Sequence, residues 1–297
     1  MATVLTVTAN PLLDHLAEVA VSPGKVHRVE RFTPVAGGKG LNVARVLGRH
    51  GHRVIATGFL GGASGERVAQ LMLADGVEPS FTPIAAPTRV GFLLTDPDAG
   101  GTTSVMENGP DVCATEVGAL VSHVRARLSE FQLVIISGGV PNASCNDLYR
   151  VLLEVCHQAG VPCWVDGYGP AIDAALAGPH PPLLVKPNRD EYGDDTRKWI
   201  VSSEIHLSDG PREMHVMTTQ GRFRVIPPKV FELNPIGSGD CYVAALAHAR
   251  LSGMPLIDQL KYAAAAGAAN AARRDVARIG PEEIGRLADL VQVREIA

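Results

Sequence analysis

The sequence predicts an α/β protein with a central, mostly parallel sheet and a small accessory β-sheet. Three observations carry that expectation. Short β-branched runs alternate with helical segments along most of the chain. Two glycine-rich turns, within residues 36–47 and 234–249, each feed a strong helix former. Strand-like segments at about residues 12–35 and 88–107 interrupt the alternation and pair more naturally with each other than with the main sheet.

The chain has 297 residues, 46% hydrophobic and 20% charged, enough for one large core or two unequal ones and too apolar for a disordered protein. A net charge of -4 gives no global reason to expect nucleic acid or a membrane surface as partner. Any bound anion must therefore be gripped by local positive groups. Residues 1–7 lack the basic start and long apolar run of a signal peptide, and the alanine-rich stretch 263–272 is too short to span a bilayer. The five cysteines lack C-x-x-C spacing and read as buried thiols of a cytoplasmic protein. The ten histidines form no metal-ligand pattern.

In chain order, a strand at 4–8 stops at Asn10-Pro11, and Asp14 follows where an α/β sheet presents ligand-facing residues. Residues 15–21 and 26–32 alternate around Pro23-Gly24 and read as two short strands. Next come the glycine turn and its helix, a strand at 53–57, and a second loop and helix. That loop is no dinucleotide fingerprint, because Leu60 stands where the first glycine is needed. Residues 88–95 and 102–106 flank a polar turn and form a hairpin. Helices from 115 and 146 and near 171 then alternate with strands at 133–137, 163–166 and 183–186. The stretch 191–228 is irregular, with polar, turn-like residues 193–198 and short strands around Ile205, His215 and Arg222. His206 and His215 belong in or beside those strands rather than to any chemistry. Helices at about 256–273 and 281–291 close the chain, and the stripe Leu246, Leu251, Leu256, Leu260 is core.

The segment Asn234-Pro235-Ile236-Gly237-Ser238-Gly239-Asp240 concentrates the chemistry. Glycines at a helix entry let backbone N–H groups converge on an anion, and the helix dipole adds positive potential there. Asp240, in the first turn, stands where a base takes a proton from an attacking hydroxyl. An ordinary glycine loop with an aspartate in a capping position is the competing reading of these residues alone.

Three segments in this order resemble the ribokinase-like (PfkB) carbohydrate kinases: Gly37-Gly38-Lys39-Gly40-x-Asn42-x-Ala44, Lys186-Pro187-Asn188-x-x-Glu191, and Asn234-Pro235-x-Gly237-Ser238-Gly239-Asp240. The resemblance covers nearly the whole chain. Thr8-x-Asn10-Pro11-x-x-Asp14, Ala56-Thr57-Gly58, Gly61-Gly62 and Glu107-x-Gly109-Pro110 are most similar to the branch of 1-phosphofructokinase and tagatose-6-phosphate kinase. The resemblance implies one ribokinase-like domain over residues 1–297, a three-layer α/β/α sandwich with a small β lid. It also implies ATP and Mg2+ as cofactors and a sugar phosphate as substrate; the exposed edge of the lid sheet suits pairing with a second copy, so a homodimer through the lid is expected.

The implied roles place Asp240 as base and Gly237, Ser238 and Gly239 as the anion hole. Asp14, Gly38 and Asn42 would bind sugar hydroxyls, and Lys39 would meet the sugar's phosphate, with Arg28 and Arg89 as clamps. Lys186, Asn188, Glu191, Ser208, Gly210 and Asn270 would face the nucleotide, with Glu191 near hydrated magnesium. Glu107 either lines the sugar site or ends a strand.

The nucleotide side departs from the family pattern. The helix after Glu191 is nearly absent, and the turn that cradles the nucleotide reads Ile205-His206-Leu207-Ser208-Asp209-Gly210-Pro211. His206 takes a hydroxyl position and Ser208 a glycine position, while Asp209 brings negative charge that Arg212 must offset. Two functions follow from different classes. One is a kinase acting on fructose 1-phosphate, fructose 6-phosphate or tagatose 6-phosphate. The other is a sugar-phosphate-binding pseudokinase with an eroded nucleotide pocket. A nucleoside kinase of the same fold is disfavoured by Lys39, which suits an anionic substrate.

Overall fold

Strands whose residues are buried on both faces organise the chain. In β1 (Thr3–Thr8), every residue after Thr3 is buried, which requires layers packed above and below. The computed structural model describes residues 1–98, 101–193 and 196–296. After β1 come β2 (Leu12–Glu18), β3 (Thr33–Gly37), α1 (Lys39–Arg49), β4 (Arg53–Leu60) and α2 (Gly62–Ala74). Two two-residue strands, β5 (Glu78–Pro79) and β6 (Thr82–Pro83), precede β7 (Val90–Thr95), β8 (Thr102–Met106) and α3 (Ala114–Arg127). The middle of the chain supplies β9 (Leu133–Gly138), α4 (Leu148–Gln158), β10 (Cys163–Gly167), α5 (Pro170–Leu176), β11 (Leu184–Val185) and α6 (Arg189–Tyr192). It ends with β12 (Glu204–Asp209), β13 (Glu213–Thr218), β14 (Gly221–Ile226), α7 (Ser238–Leu251), α8 (Leu256–Ala271), α9 (Pro281–Ala288) and β15 (Gln292–Ile296).

The large sheet runs β15-β14-β13-β12-β11-β10-β9-β1-β4-β5, with β6 also on β4. It is parallel from β5 to β12 and antiparallel from β12 to β15. Successive strand residues feed opposite cores. Val4, Leu133, Ile135, Trp164 and Leu184 pack with α1, α7 and α8. Leu5, Val134, Ile136, Val165 and Val185 pack with α3, α4 and α5. This two-residue period produces the three-layer sandwich. The second, four-stranded sheet runs β3-β2-β7-β8.

Several elements differ from the sequence expectation. Residues 26–32 form no strand: they are exposed but for Val29 and have no sheet partner, so their alternation is that of a solvated loop. β2 instead starts at Leu12 and β3 at Thr33. The last helix stops at Ala288, and β15 adds an unforeseen edge strand beside β14. All five cysteines are free, but Cys113 is exposed rather than buried. Leu246 and Leu260 are fully buried, whereas Leu251 and Leu256 are half-buried against the same core. Ala99 and Gly100 of the expected hairpin turn, and Asp194 and Asp195 of the polar stretch, lie outside the described residues. Among the described residues, no helix is long and apolar enough to cross a membrane.

Candidate active site

The carboxyl ends of β1, β9, β10 and β11 point towards one cavity of about 1000 Å³. It is lined by Asp14, Gly38, Lys39, Asn42, Arg89, Lys186, Asn188, Ser208, Gly210 and the run Gly237–Asp240. Residues from three separate motifs and from the small sheet are thus brought together. That is the crevice in which open α/β sheets hold ligands.

The loop before α7 is braced from behind. Gly237 has φ 83, a left-handed conformation, and a Cβ there would lie 2.7 Å from Val276 Cγ1. Asn234, fully buried, accepts from the Ile236 amide at 3.1 Å and donates to the Arg274 carbonyl at 3.1 Å. Asn270 donates to the Ile236 carbonyl at 2.8 Å and to Ser238 Oγ at 3.1 Å, and accepts from the Ala277 amide at 2.8 Å. The Ser238 amide, expected in the anion hole, instead donates to the Pro235 carbonyl at 3.1 Å because the turn closes on itself there; the amides of Gly239 and Asp240 have no backbone acceptor among the described residues, and both residues line the cavity. Free amides at a helix N-terminus are an arrangement that can hold an anion.

Asp240 is 5% exposed and accepts from Asn42 Nδ2 at 2.7 Å. Burial pushes its pKa up, Lys39 opposes the rise and Asp166 adds to it, leaving it at about 6. Lys39 Nζ lies 3.2 Å from Asp166 Oδ1, 3.4 Å from Glu191 Oε1 and 5.6 Å from the centre of the Tyr168 ring. Burial works against the Lys39 charge, but Asp166, Asp240 and Glu191 outweigh it and hold its pKa above the ordinary value. Lys186 is buried with its Nζ close to Gly239, where an added Cβ would stand 2.9 Å away. Asp166, 1% exposed, is desolvated, yet Lys186 and Lys39 keep its pKa below the usual carboxylate value. Its Oδ2 is buried without a hydrogen-bond partner.

Three expected residues do not line the cavity. Arg28 sits on the exposed loop between β2 and β3 and does not line it, because that loop has no sheet pairing to aim it inward. Asn270 is fully buried behind the glycine loop with its amide spent on Ile236, Ser238 and Ala277, so it holds the loop rather than facing a ligand. Glu191 also lies outside the lining. It forms a reciprocal cap with Asn188, accepting from the Asn188 amide at 2.9 Å while Asn188 Oδ1 accepts from the Glu191 amide at 2.8 Å. Glu107 ends a strand: its Oε2 accepts from the Val90 amide at 2.7 Å. Arg89 lines the cavity, and its best hydrogen bond is to the neutral carbonyl of Asn10 at 2.9 Å. Sequence reasoning missed Asp166 and Tyr168. The available signal was Val165-Asp166-Gly167, a charged residue closing a β-branched strand at its ligand-facing end.

The nucleotide-side departures have a physical account. His206, in β12, has no exposed surface and its Nδ1 lies 2.6 Å from Tyr242 Oη, with Nε2 3.4 Å from Glu204 Oε2. Burial lowers the His206 pKa against the pull of Glu204, so the ring is neutral at pH 7, with Nε2–H towards the carboxylate and Nδ1 accepting from Tyr242. Arg250 closes the network with two 2.8 Å bonds to Glu204. Tyr242 lines the cavity, so the network forms a wall there. Asp209 is paired with Arg212 at 2.5 and 2.9 Å, as its position requires. Tyr242→Phe leaves the buried His206 Nδ1 without a donor and is expected to cost about 1–3 kcal/mol in chemical denaturation. A neutral result contradicts the assignment of the wall to this network.

Comparison with known proteins agrees with this geometry. Residues 10–282 match the model of the pfkB family carbohydrate kinases. Among solved structures, a possible 1-phosphofructokinase from Thermotoga maritima superposes with a TM-score of 0.90 at 23% identity, covering 99% of this chain and 100% of that one. A putative phosphofructokinase from Staphylococcus aureus gives 0.81 at 25% identity over 99% of each chain. Phosphofructokinase-2 from Escherichia coli, in complex with potassium, gives 0.86 at 24% identity, covering 98% of this chain and 99% of that one. The family match spans both glycine turns and the Asn188–Glu191 cap, and the chain belongs to the pfkB family of carbohydrate kinases.

Proposed function

We propose that the protein phosphorylates a ketohexose monophosphate, with ATP as donor and Asp240 as base. The observation that carries this reading is a buried carboxylate with a pKa near 6, placed beside an anion cradle at a helix N-terminus. Above that pH the carboxylate is ionised and accepts the proton of the sugar hydroxyl. The freed oxygen attacks the γ-phosphorus of ATP, the bond to the leaving oxygen breaks, and ADP departs. Amides of Gly239 and Asp240 receive the charge on the phosphoryl group in transit.

Arg89 is the clamp for the phosphate that the sugar already carries, since its hydrogen bonds to neutral carbonyls leave its charge for an anion. Lys39, held by Asp166 and Glu191, lies between the sugar and nucleotide sides and serves both. We assign Asp14 to the sugar and Lys186, Asn188, Ser208 and Gly210 to the nucleotide, all of which line the cavity, while Asn42 acts at the sugar side through its bond to Asp240. Among the described residues, no group of three or more His, Cys, Asp or Glu side chains is arranged to hold a metal. Magnesium would enter as an ion carried by the nucleotide phosphates, offsetting their charge and keeping most of its waters. The Asp166 and Glu191 carboxylates lie beside Lys39 but outside the cavity lining, so they would act on the ion through its waters.

The names of the matched structures support a sugar phosphate as substrate: possible 1-phosphofructokinase, and phosphofructokinase-2 in complex with fructose-6-phosphate. The binding-only alternative rests on the short α6 after Asn188 and on the altered turn; the satisfied network at His206 supports reading that turn as an ordered wall rather than an eroded one. We assign residues 1–297 to one kinase domain and the four-stranded sheet, at about 12–35 and 88–107, to a lid, closing to exclude water.

The lid's outer face supports a homodimer. Leu16, Leu93 and Ser104 line the cavity, so the alternate residues His15, Phe92 and Val105 face away from it. They form a row across three paired strands, with His15 stacked on Phe92 at 5.4 Å and Phe32 against it at 5.3 Å. An apolar row of this kind suits a second copy. Sedimentation should show a dimer that Phe92→Asp dissociates; a monomeric wild type contradicts it.

ADP release from MgATP, measured across fructose 1-phosphate, fructose 6-phosphate and tagatose 6-phosphate, tests the activity itself. One sugar phosphate should stimulate turnover, Asp240→Asn should reduce it at least ~1000-fold, and Arg89→Ala should raise KM for that sugar phosphate ~10-fold or more. No stimulation by any of the three, or full activity in Asp240→Asn, overturns the reading.

A further inference from the structure

A buried guanidinium is costly unless its N–H groups are partnered. Arg45, on α1, has no exposed surface and engages three acceptors in different directions. Nε donates to Asp75 Oδ2 at 2.6 Å, Nη2 to the Ala36 carbonyl at 2.9 Å, and Nη1 to Asn42 Oδ1 at 2.9 Å. Arg278 braces the far side, donating to Asp75 Oδ1 at 2.8 Å. Asn42 lies one turn back on α1, and its other end donates to Asp240.

The direction of the Asn42 amide follows from this chain. Arginine has donors only, so Asn42 must turn its oxygen towards Arg45. Its NH2 group is then the end that meets Asp240, and an ionised carboxylate can only accept. The reverse orientation would set donor against donor at Arg45 and oxygen against oxygen at Asp240. An ion pair serving the core alone needs Asp75 and the Ala36 carbonyl; the third bond, to an amide whose far end is the base, connects Arg45 to the chemistry.

We propose that Arg45 is a positioning residue for phosphoryl transfer, acting through Asn42 to aim the Asp240 carboxylate and keep it ionised. The proposal rests on the reading of Asp240 as base. The other groups facing Asp240 are Lys39 from α1, Asp166 from β10, Lys186 after β11, and its neighbour Cys241, whose thiol burial keeps neutral. Lys39 and Lys186 favour the carboxylate and Asp166 opposes it. None of the three is a hydrogen-bond partner of Arg45, so they persist when Arg45 changes.

The test is the pH dependence of kcat at saturating MgATP and sugar phosphate, in the full-length wild type and in Arg45→Met, Arg45→Lys and Asn42→Ala. Because all see the same substrate, its own phosphate titration cancels in the comparison. Arg45→Met should lower kcat roughly 10- to 100-fold, change KM less than about threefold, and move the acid limb up by about half a pH unit or more. Arg45→Lys keeps the charge but cannot reach three separate acceptors with one ammonium, so it should show the same displacement, reduced. Adding Arg45→Met to Asn42→Ala should move the limb no further. An unmoved limb and wild-type kcat per folded molecule in Arg45→Met overturns the proposal, whatever its melting temperature. If Arg45→Met does not fold, a wild-type profile in Arg45→Lys overturns it. Full activity in Asp240→Asn would instead sink the underlying reading.

Discussion

Four charged side chains, Lys39, Lys186, Asp166 and Asp240, crowd together at the carboxyl edge of the sheet, all but Lys39 buried, and most local features answer to that constraint. Two carboxylates so close cannot both stay ionised without positive charge between them. Lys39 supplies it by direct contact with Asp166, and Lys186 by its approach to Gly239. The result is an asymmetric pair. Asp166 stays well ionised, whereas Asp240 is held near the pH at which a base can accept and release a proton.

The scaffold explains how such a group is tolerated. α7 and α8 pack through small residues, with Ala244, Ala245, Ala263 and Ala266 all buried, so the two helices lie close. A Cβ on Gly267 would stand 3.3 Å from the Ser238 carbonyl, so α8 backs directly onto the anion loop. Asn234 and Asn270 spend their amides on that loop, fixing its shape before any ligand arrives. Preorganisation of this kind is what phosphoryl transfer needs, since the protein's contribution is mainly position and charge.

What the sequence disclosed followed from contiguity. Gly237–Asp240, Gly38–Asn42 and Asn188–Glu191 are short segments whose geometry is local, so their residues could be read together. The alternation of β-branched and helical runs likewise announced the parallel sheet and the separate small sheet. Arg28 misled because alternating residues without a partner strand look the same as a strand. Asp166 and Arg45 were passed over because their partners lie 127 residues away in one case and, in the other, act through an intermediate amide. β15 was missed because a five-residue edge strand is fixed by its neighbour rather than by its own pattern. His206 read as loss until Tyr242 and Glu204, distant and near in sequence, proved to satisfy it.

A carboxyl-carbon NMR titration of the ligand-free protein measures directly whether Asp240 is a buried carboxylate tuned by its neighbours. The resonance that disappears in Asp240→Asn should titrate with a midpoint at about 6. A midpoint at the ordinary aspartate value of about 4 would contradict it.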